Sequence, residues 1–281
     1  MMKKKKILFF DIDGTLVGKD KRLSSATQYS LKDLKNKGHL SFLCTGRSKN
    51  YIAHLLDQPF DGYISNAGAC VVYQGKMIYS RCLDPELVRR IEETFDKYGV
   101  AYDHECDDYD YIKEKMVSDL FQDDDPDVQK QKIKQYLKEN STLPMEQYNG
   151  QAVYKISYTC DSYDQIKQAA KELEDKVSIA INPAFSKVAG DLLYDGVNKG
   201  EAIRQLVAYL GLSMDDTIAF GDSMNDIEML KACHTAVVMD NGDEETKKYA
   251  DIVCGSVEDD GIYYELIRLD LIDPEKPLQP A

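Results

Sequence analysis

The sequence predicts an α/β protein, a doubly wound parallel sheet interrupted by an inserted α+β domain. Three observations carry this. Ile7-Leu8-Phe9-Phe10 is an unbroken apolar run between lysines and aspartate, the pattern of a short strand buried on both faces, as strands of parallel sheets are. Apolar runs then alternate with helical periodicity at both ends of the chain, as in β-α-β units. Between residues 84 and 188 the strands become fewer, longer and more amphipathic, as in an antiparallel sheet with helices on one face.

In chain order, Ser24 or Ser25 caps a helix whose apolar positions Tyr29, Leu31 and Leu34 lead to a stop at Lys37-Gly38. Leu40–Cys44 reads as the second strand, residues 48–56 as a second helix and Gly62–Ser65 as the third strand. Val71–Tyr73 and Met77–Tyr79 flank Gln74-Gly75-Lys76 as a hairpin. Asp84-Pro85 opens a helix with Leu87, Val88, Ile91 and Phe95 on one face. A tyrosine- and aspartate-rich stretch, Tyr102 to Tyr111, follows, and Asp125-Pro126 opens a polar helix to about Asn140. Ala152–Tyr158 is strand-like, a helix runs from Asp161 or Ser162 to Leu173, and Val177–Ile181 and Val188–Tyr194 are strands. After Asn198-Lys199-Gly200 the alternation returns: helix 201–210, strand 216–220, helix 227–232, strand 235–238, helix 244–249 and strand 252–253. The simplest organisation is a discontinuous domain of residues 1–83 and 189–271, an inserted domain of residues 84–188, and a loosely ordered tail at 272–281 with prolines at 274, 277 and 280.

The composition, 43% hydrophobic and 30% charged over 281 residues, is that of a soluble globular protein with room for two cores. A net charge of −14 without a basic stripe argues against nucleic acid or an anionic membrane as partner. The seven cysteines are dispersed, with no Cys-x-x-Cys pair, which suits reduced thiols in a cytoplasm. Four dispersed histidines offer no zinc-like spacing. Asp11 cuts the apolar run after Lys3–Lys6 well short of the ~7–15 residues of an export signal. No segment approaches the ~20 apolar residues of a membrane span. A cytoplasmic location is expected.

Asp11 and Asp13 stand where the first strand runs out, followed by Gly14, which lets the chain turn; ligands of open α/β sheets bind at such strand ends. Thr45-Gly46, Lys199 and the loop from Gly221-Asp222 to Asn225-Asp226 fall at other strand ends or helix starts of the same domain. Together they supply carboxylates, a hydroxyl, a lysine and an amide. An oxygen-rich acidic site favours Mg²⁺ with substrate phosphate. The lysine, hydroxyl and amide suit phosphoryl oxygens.

Asp11-Ile12-Asp13-Gly14-Thr15-Leu16, Thr45-Gly46-Arg47, Lys199 and Gly221-Asp222-Ser223-Met224-Asn225-Asp226 are similar, in order and rough spacing, to the four motifs of the haloacid dehalogenase-like superfamily. Within it the chain resembles the Cof-type phosphatases, whose large α/β cap is inserted at the same place. Asn66-Ala67-Gly68-Ala69 resembles a further family segment that usually reads Asn-Gly-Ala. The resemblance covers residues 5–270 and implies a Rossmann-like core, a hydrolase activity and Mg²⁺ as cofactor. It implies that Asp11 attacks phosphorus to form an aspartyl-phosphate, and that Asp13 protonates the leaving group and then activates water. It also implies that Asp11, Asp222 and the carbonyl of Asp13 bind the metal, with Asp226 in the outer shell. Thr45, the amides of Ile12 and Gly46, Asn225 and Lys199 would hold the phosphoryl oxygens, and Asn66 is a candidate substrate contact. Arg47 is open between reaching a substrate and covering the surface. The expected substrate is a small phosphorylated metabolite, a sugar phosphate or a nucleotide or cofactor phosphate. The alternatives are a phosphomutase or phosphotransferase on the same fold and a non-catalytic phosphometabolite sensor. The oligomeric state is not legible.

Taken singly the motifs are weak. Asp-x-Asp-Gly is a common capped turn, Thr-Gly a common helix cap, and a lysine at a helix start is most often solvated. Cys44 reads as packing and Asp123-Asp124-Asp125 as a solvated cap for the helix after Pro126. The tyrosines at 102, 109 and 111 read as half-buried sheet packing or as the substrate side of the cap.

Overall fold

A computed structural model describes residues 5–121, 125–173, 176–182 and 188–275. The strands are β1 (Ile7–Phe10), β2 (Leu40–Cys44), β3 (Gly62–Ser65), β4 (Cys70–Tyr73), β5 (Lys76–Ser80), β6 (Ala101–Glu105), β7 (Asp110–Ile112) and β8 (Thr142–Pro144). They continue with β9 (Ile156–Cys160), β10 (Val177–Asn182), β11 (Val188–Tyr194), β12 (Thr217–Gly221), β13 (Thr235–Met239) and β14 (Ile252–Cys254). The chain divides into two compact units, one of Met1–Gly46, His54–Tyr79 and Asn198–Ala281, the other of Arg47–Ala53 and Ser80–Val197.

The first unit holds an eight-stranded sheet ordered β14-β13-β12-β1-β2-β3-β4-β5. The six strands from β14 to β3 are parallel, and β4 turns back antiparallel on β3. This is the α/β, doubly wound sheet that the alternation of runs predicts. All four residues of β1 are fully buried, at the sheet's centre. Each such side chain removed from water stabilises the fold by ~1.5–3 kcal/mol. The strand order reverses at β1: the chain first winds outward through β2 and β3, and after the insert through β12, β13 and β14. A crevice opens beyond the carboxyl ends of strands at such a reversal. Ser24 caps the first helix (Ser25–Asn36), its Oγ accepting from the Thr27 amide at 3.1 Å. The β4–β5 connection places Gln74 and Gly75 at φ 48° and 76°, the two left-handed residues a tight hairpin turn demands.

The second unit holds a six-stranded sheet ordered β10-β11-β9-β6-β7-β8. Helix Pro85–Tyr98, started by Asp84-Pro85, lays Leu87, Val88, Ile91 and Phe95 into a core with Tyr102, Ile156, Tyr158 and Leu192. The structure corrects two expectations, on the second sheet and on residues 48–56, and bears out sheet packing for two of the three tyrosines. The β7–β8 pair is parallel, so the sheet is not antiparallel throughout. The tyrosine-rich stretch folds into β6 and β7, burying Tyr102 and Tyr111 and exposing Tyr109. Residues 48–56 form turns and a short 3₁₀ segment, Ala53–Leu55, in place of a helix, because Ser48 and Asn50 spend their side chains on Asp110. The polar helix runs from Pro126 to Glu139, capped by Asp125, which accepts from the Asp127 amide at 2.9 Å; Asp123 and Asp124 lie outside the described residues. Of the tail, Ile272 is buried, the Asp273 amide donates to Asp33 and the Glu275 amide to the Tyr263 hydroxyl; residues 276–281 lie outside the described residues. Among the described residues no helix is long and apolar enough to cross a membrane.

Candidate active site

Asp11 and Asp222 follow directly on β1 and β12, neighbours on either side of the reversal. Lys199 opens helix Lys199–Tyr209, whose N-cap Asn198 accepts from the Glu201 amide at 2.9 Å. That cap fixes the first turn and with it the lysine. Lys199 is 1% exposed and donates to Asp11 Oδ1 at 2.7 Å and to Asp226 Oδ1 at 2.5 Å. Asp226 uses its other oxygen to accept from the amides of Asp222 and Ser223 at 3.0 and 3.1 Å, closing the loop that carries Asp222. Thr15 Oγ1 donates to Asp222 Oδ1 at 2.9 Å. Asp11, Asp222 and Asp226 each offer an oxygen within 4.8 Å of the others.

Glycine makes this crowding possible. Gly14 sits at φ 88°, and a Cβ there would overlap the Asp222 carboxylate. A Cβ at Gly221 would overlap the Asp226 carboxylate. Asn241 Nδ2 donates to the Gly14 carbonyl at 2.8 Å and steadies the same turn.

Three carboxylates face one ammonium in a dry setting. Burial first, then repulsion from Asp226, pushes Asp11 up to about 8 in spite of Lys199. Burial and Asp226 likewise push Asp222 up to about 7. Burial opposes the charge on Lys199, but Asp11 and Asp226 outweigh it and raise its pKa. An all-oxygen donor set with surplus negative charge fits a hard divalent cation, and Asp11, Asp222 and Asp226 are the residues that could hold one.

The remaining sequence candidates divide. Thr45 is buried at the end of β2, its amide donating to the Ile64 carbonyl at 2.9 Å and its carbonyl accepting from the Ala67 amide at 3.1 Å. Asn225 Nδ2 lies beside Gly46, and Ser223 Oγ donates to Asn225 Oδ1 at 2.9 Å. Ile12 is buried, its carbonyl accepting from the amides of Leu16 and Val17 at 2.9 and 3.0 Å. Asp13 is part-exposed, and Lys21, at φ 57°, brings its Nζ to Asp13 Oδ1 at 2.5 Å. Asn66 and Ala67 take φ 51° and 52°, and Gly68 packs its bare Cα against the Asn198 carbonyl. The Asn66–Gly68 turn thus joins Thr45 to the start of the Lys199 helix. Arg47 clusters with the second unit, its guanidinium 4.4 Å from the Tyr51 ring centroid.

Sequence reasoning passes over Thr15, Lys21 and Ser223, although Thr15 and Ser223 lie inside the motifs. It also passes over Lys155 of the second unit, 4% exposed between Glu105 Oε1 at 2.9 Å and Asp191 Oδ1 at 3.1 Å. A lysine amid apolar strand residues is the available signal.

The sequence model of the haloacid dehalogenase-like hydrolases matches residues 8–266. The chain is 29% identical to "Putative phosphatase YkrA" of Bacillus subtilis over 276 residues, covering 95% of this chain and 98% of that protein. It is 26% identical to the pyridoxal phosphate phosphatase YbhA of Escherichia coli, covering 92% of this chain and 96% of that one. The structure of the subclass IIB sugar phosphatase BT4131 superposes with a TM-score of 0.77 at 26% identity, covering 95% of this chain and all of that one. With the family's sequence model spanning nearly the whole chain and the sheet and its strand-end acids in place, the protein belongs to the haloacid dehalogenase-like hydrolases, as an enzyme of their phosphatase branch.

Proposed function

We propose that the protein is a Mg²⁺-dependent phosphatase that hydrolyses the phosphomonoester of a small metabolite through an aspartyl-phosphate on Asp11. The observation that carries this is the convergence of Lys199, Asp11, Asp226 and Asp222 at the ends of neighbouring central strands. Asp11 attacks phosphorus, and the bond to the leaving oxygen breaks as that oxygen takes a proton from Asp13. Asp13 then removes a proton from water, which attacks the same phosphorus and frees Asp11 and phosphate. Asp11, Asp222 and the Asp13 carbonyl, with Asp226 behind them, would hold Mg²⁺, which would supply the charge neutralisation that lets an anionic nucleophile meet an anionic ester. Lys199, the Thr45 hydroxyl, the Asn225 amide and the backbone N–H groups of Ile12 and Gly46 take the equatorial phosphoryl oxygens, with Asn66 at the substrate's edge. Lys199 also holds Asp11 in one rotamer, so the nucleophile needs no reorganisation on binding.

An inserted cap within a discontinuous catalytic domain belongs to this reading, with selectivity assigned to the cap and with β11, which pairs with β9 and β10, counted in the cap. The relatives named for sugar and pyridoxal phosphates support a small phosphorylated metabolite as substrate. None of the seven cysteines is paired in a disulfide, which agrees with the cytoplasmic location we propose.

The test is release of inorganic phosphate from p-nitrophenyl phosphate. Asp11→Asn is expected to lower kcat by on the order of 10⁴-fold or more, and EDTA to abolish turnover until Mg²⁺ is restored. Full activity in either case overturns the mechanism. Isomer formation without phosphate release marks a mutase, and ligand-induced stabilisation without turnover marks a sensor.

A further inference from the structure

The carboxyl group assigned to proton transfer is met by a lysine from its own loop, within the first unit. Beyond Asp13 the chain turns tightly: Asp13 and Val17 form an isolated bridge, and the Gly14 amide donates to the Val17 carbonyl at 2.9 Å. Residues 18–22 have no helix or strand of their own, and two side chains from the far end of the chain tie them down. Glu258 Oε1 accepts from the Lys19 amide at 3.2 Å, and a Cβ at Gly18 would overlap the same carboxylate. Asn241 donates to the Gly14 carbonyl and accepts from the Val257 amide, both at 2.8 Å, which sets the segment bearing Glu258 against the Asp13 turn. The Lys21 amide donates to the Gly18 carbonyl at 3.2 Å, and Lys21 takes φ 57°, a backbone conformation that a long side chain rarely adopts. That bend brings Lys21 Nζ to Asp13 Oδ1 at 2.5 Å, although the Asp13 side chain is 28% exposed. An exposed ion pair adds little to stability, so the fold gains little from a left-handed lysine held there by two outside anchors. Such conformations gather where a side chain must be aimed.

We infer that Lys21 is a positioning residue for Asp13: its ammonium holds the carboxyl group in the rotamer from which Asp13 gives a proton to the leaving oxygen and then takes one from water. This rests on the phosphatase reading and deepens it. Proton transfer needs the two oxygens within hydrogen-bond reach, and a part-exposed aspartate without a hold spends its time among several rotamers. Lys21 itself gives up no proton in either step. Lys199 holds Asp11 from a buried helix start, and Lys21 holds Asp13 from an anchored loop, so each acid of the pair has its own ammonium.

The test compares kcat/KM of the wild type and Lys21→Met, with Mg²⁺ present, for two esters of similar shape and different leaving groups, phenyl phosphate and 2,4-dinitrophenyl phosphate. This ratio reports the steps up to cleavage of the ester, where phenolate needs the proton and dinitrophenolate departs without it. Lys21→Met is expected to lower kcat/KM about tenfold or more for phenyl phosphate and to leave it within about threefold for the dinitrophenyl ester. Lys21→Arg, which keeps a charged donor for Oδ1, should recover most of the loss. A lysine that bound the substrate itself, or only steadied the fold, would cost both esters alike. Equal losses therefore overturn the inference, as do unchanged values for both esters or a Lys21→Arg variant that recovers nothing. Should Lys21→Met fail to fold, Glu258→Ala loosens the loop with the lysine in place; about a threefold loss confined to phenyl phosphate is expected, and any other pattern overturns the inference. A wild type that cleaves neither ester overturns the phosphatase reading and the role of Lys21 with it. A wild type that cleaves both, with a variant that loses both alike, overturns the role of Lys21 alone.

Discussion

Among the described residues each unit buries one lysine between two carboxylates, and the two sites differ in what surrounds them. Lys155 lies between Glu105 of β6 and Asp191 of β11, the two strands that flank β9 in the second unit's sheet. Ser157 Oγ lies 3.1 and 2.9 Å from the two acids and can donate its one proton to either, and the Ser157 amide donates to Asp103 Oδ1 at 2.7 Å. That network is closed within regular strands. Lys199 lies instead at a helix start, between acids that follow strand ends, and two glycines bring further carboxylate oxygen against it. Both networks hold more carboxylates than ammonium groups, Asp103, Glu105 and Asp191 about Lys155 and Asp11, Asp222 and Asp226 about Lys199, but the first is built on paired strands and the second on loops at strand ends. Burial of a lysine is therefore not the functional signal. Surplus charge at loops that only glycine permits is.

The sharpest way to break this contrast is to replace each lysine by methionine. Either change leaves buried carboxylates unpaired, and a cost of ~3–5 kcal/mol in chemical denaturation is expected for each. Activity should separate them. Lys199→Met is expected to lower kcat by about 10³-fold or more, whereas folded Lys155→Met should keep kcat for p-nitrophenyl phosphate within about threefold. Equal losses of kcat would mean that the two networks serve the reaction alike.

A smaller effect probes the glycines. Gly14→Ala puts a methyl group into the Asp222 carboxylate at a φ of 88°, and should cost ~2–3 kcal/mol and weaken Mg²⁺ binding measured by calorimetry. Gly75→Ala, at φ 76° with open space around it, should cost only ~1 kcal/mol and leave Mg²⁺ affinity alone. Equal Mg²⁺ affinities in the two variants would remove the glycines from the account of the site.

The third probe turns on pH and touches the second unit alone. His104 is fully buried between Tyr102 and Tyr148, and neither ring nitrogen has a hydrogen-bond partner among the described residues. Burial pushes its pKa down to about 4, with Lys113 adding to the effect; Glu92, 3.5 Å from Nε2, does not offset this and is itself raised by burial. The folded state then binds the proton less readily than the unfolded chain, so this contribution is intact above the unfolded pKa near 6.5 and is lost as pH falls toward 4. By pH 4 the loss approaches ~3 kcal/mol, and His104→Phe should flatten the acid limb of the stability curve by that amount. Parallel acid limbs would contradict the assignment.

How much of this the sequence discloses follows the same division. Asp11, Lys199 and Asp222 are legible because strand ends and helix starts are marked locally, by apolar runs and by glycine, and chemistry in this fold gathers there. The path from Gly221 to Asp226 is legible for the same reason. Residues 48–56 look helical in sequence, yet their conformation is decided by Asp110, 62 residues from Ser48. The β6–β7 hairpin is hidden because its tyrosines and aspartates alternate between a buried and a polar face without a long apolar run. Lys155 escapes notice because its partners, Glu105 and Asp191, come from strands whose neighbours only the folded sheet reveals. Local chemistry is written locally; cross-strand pairing is not.

The central claim is that Asp11 carries the phosphoryl group. Rapid mixing with a phosphomonoester and Mg²⁺, acid quenching and borohydride reduction convert an aspartyl-phosphate to homoserine, which peptide mass spectrometry locates. Homoserine at position 11, dependent on substrate and on Mg²⁺, is the predicted result. Turnover with an unmodified Asp11 at every quench time, or with the reduced residue at another position, would contradict it.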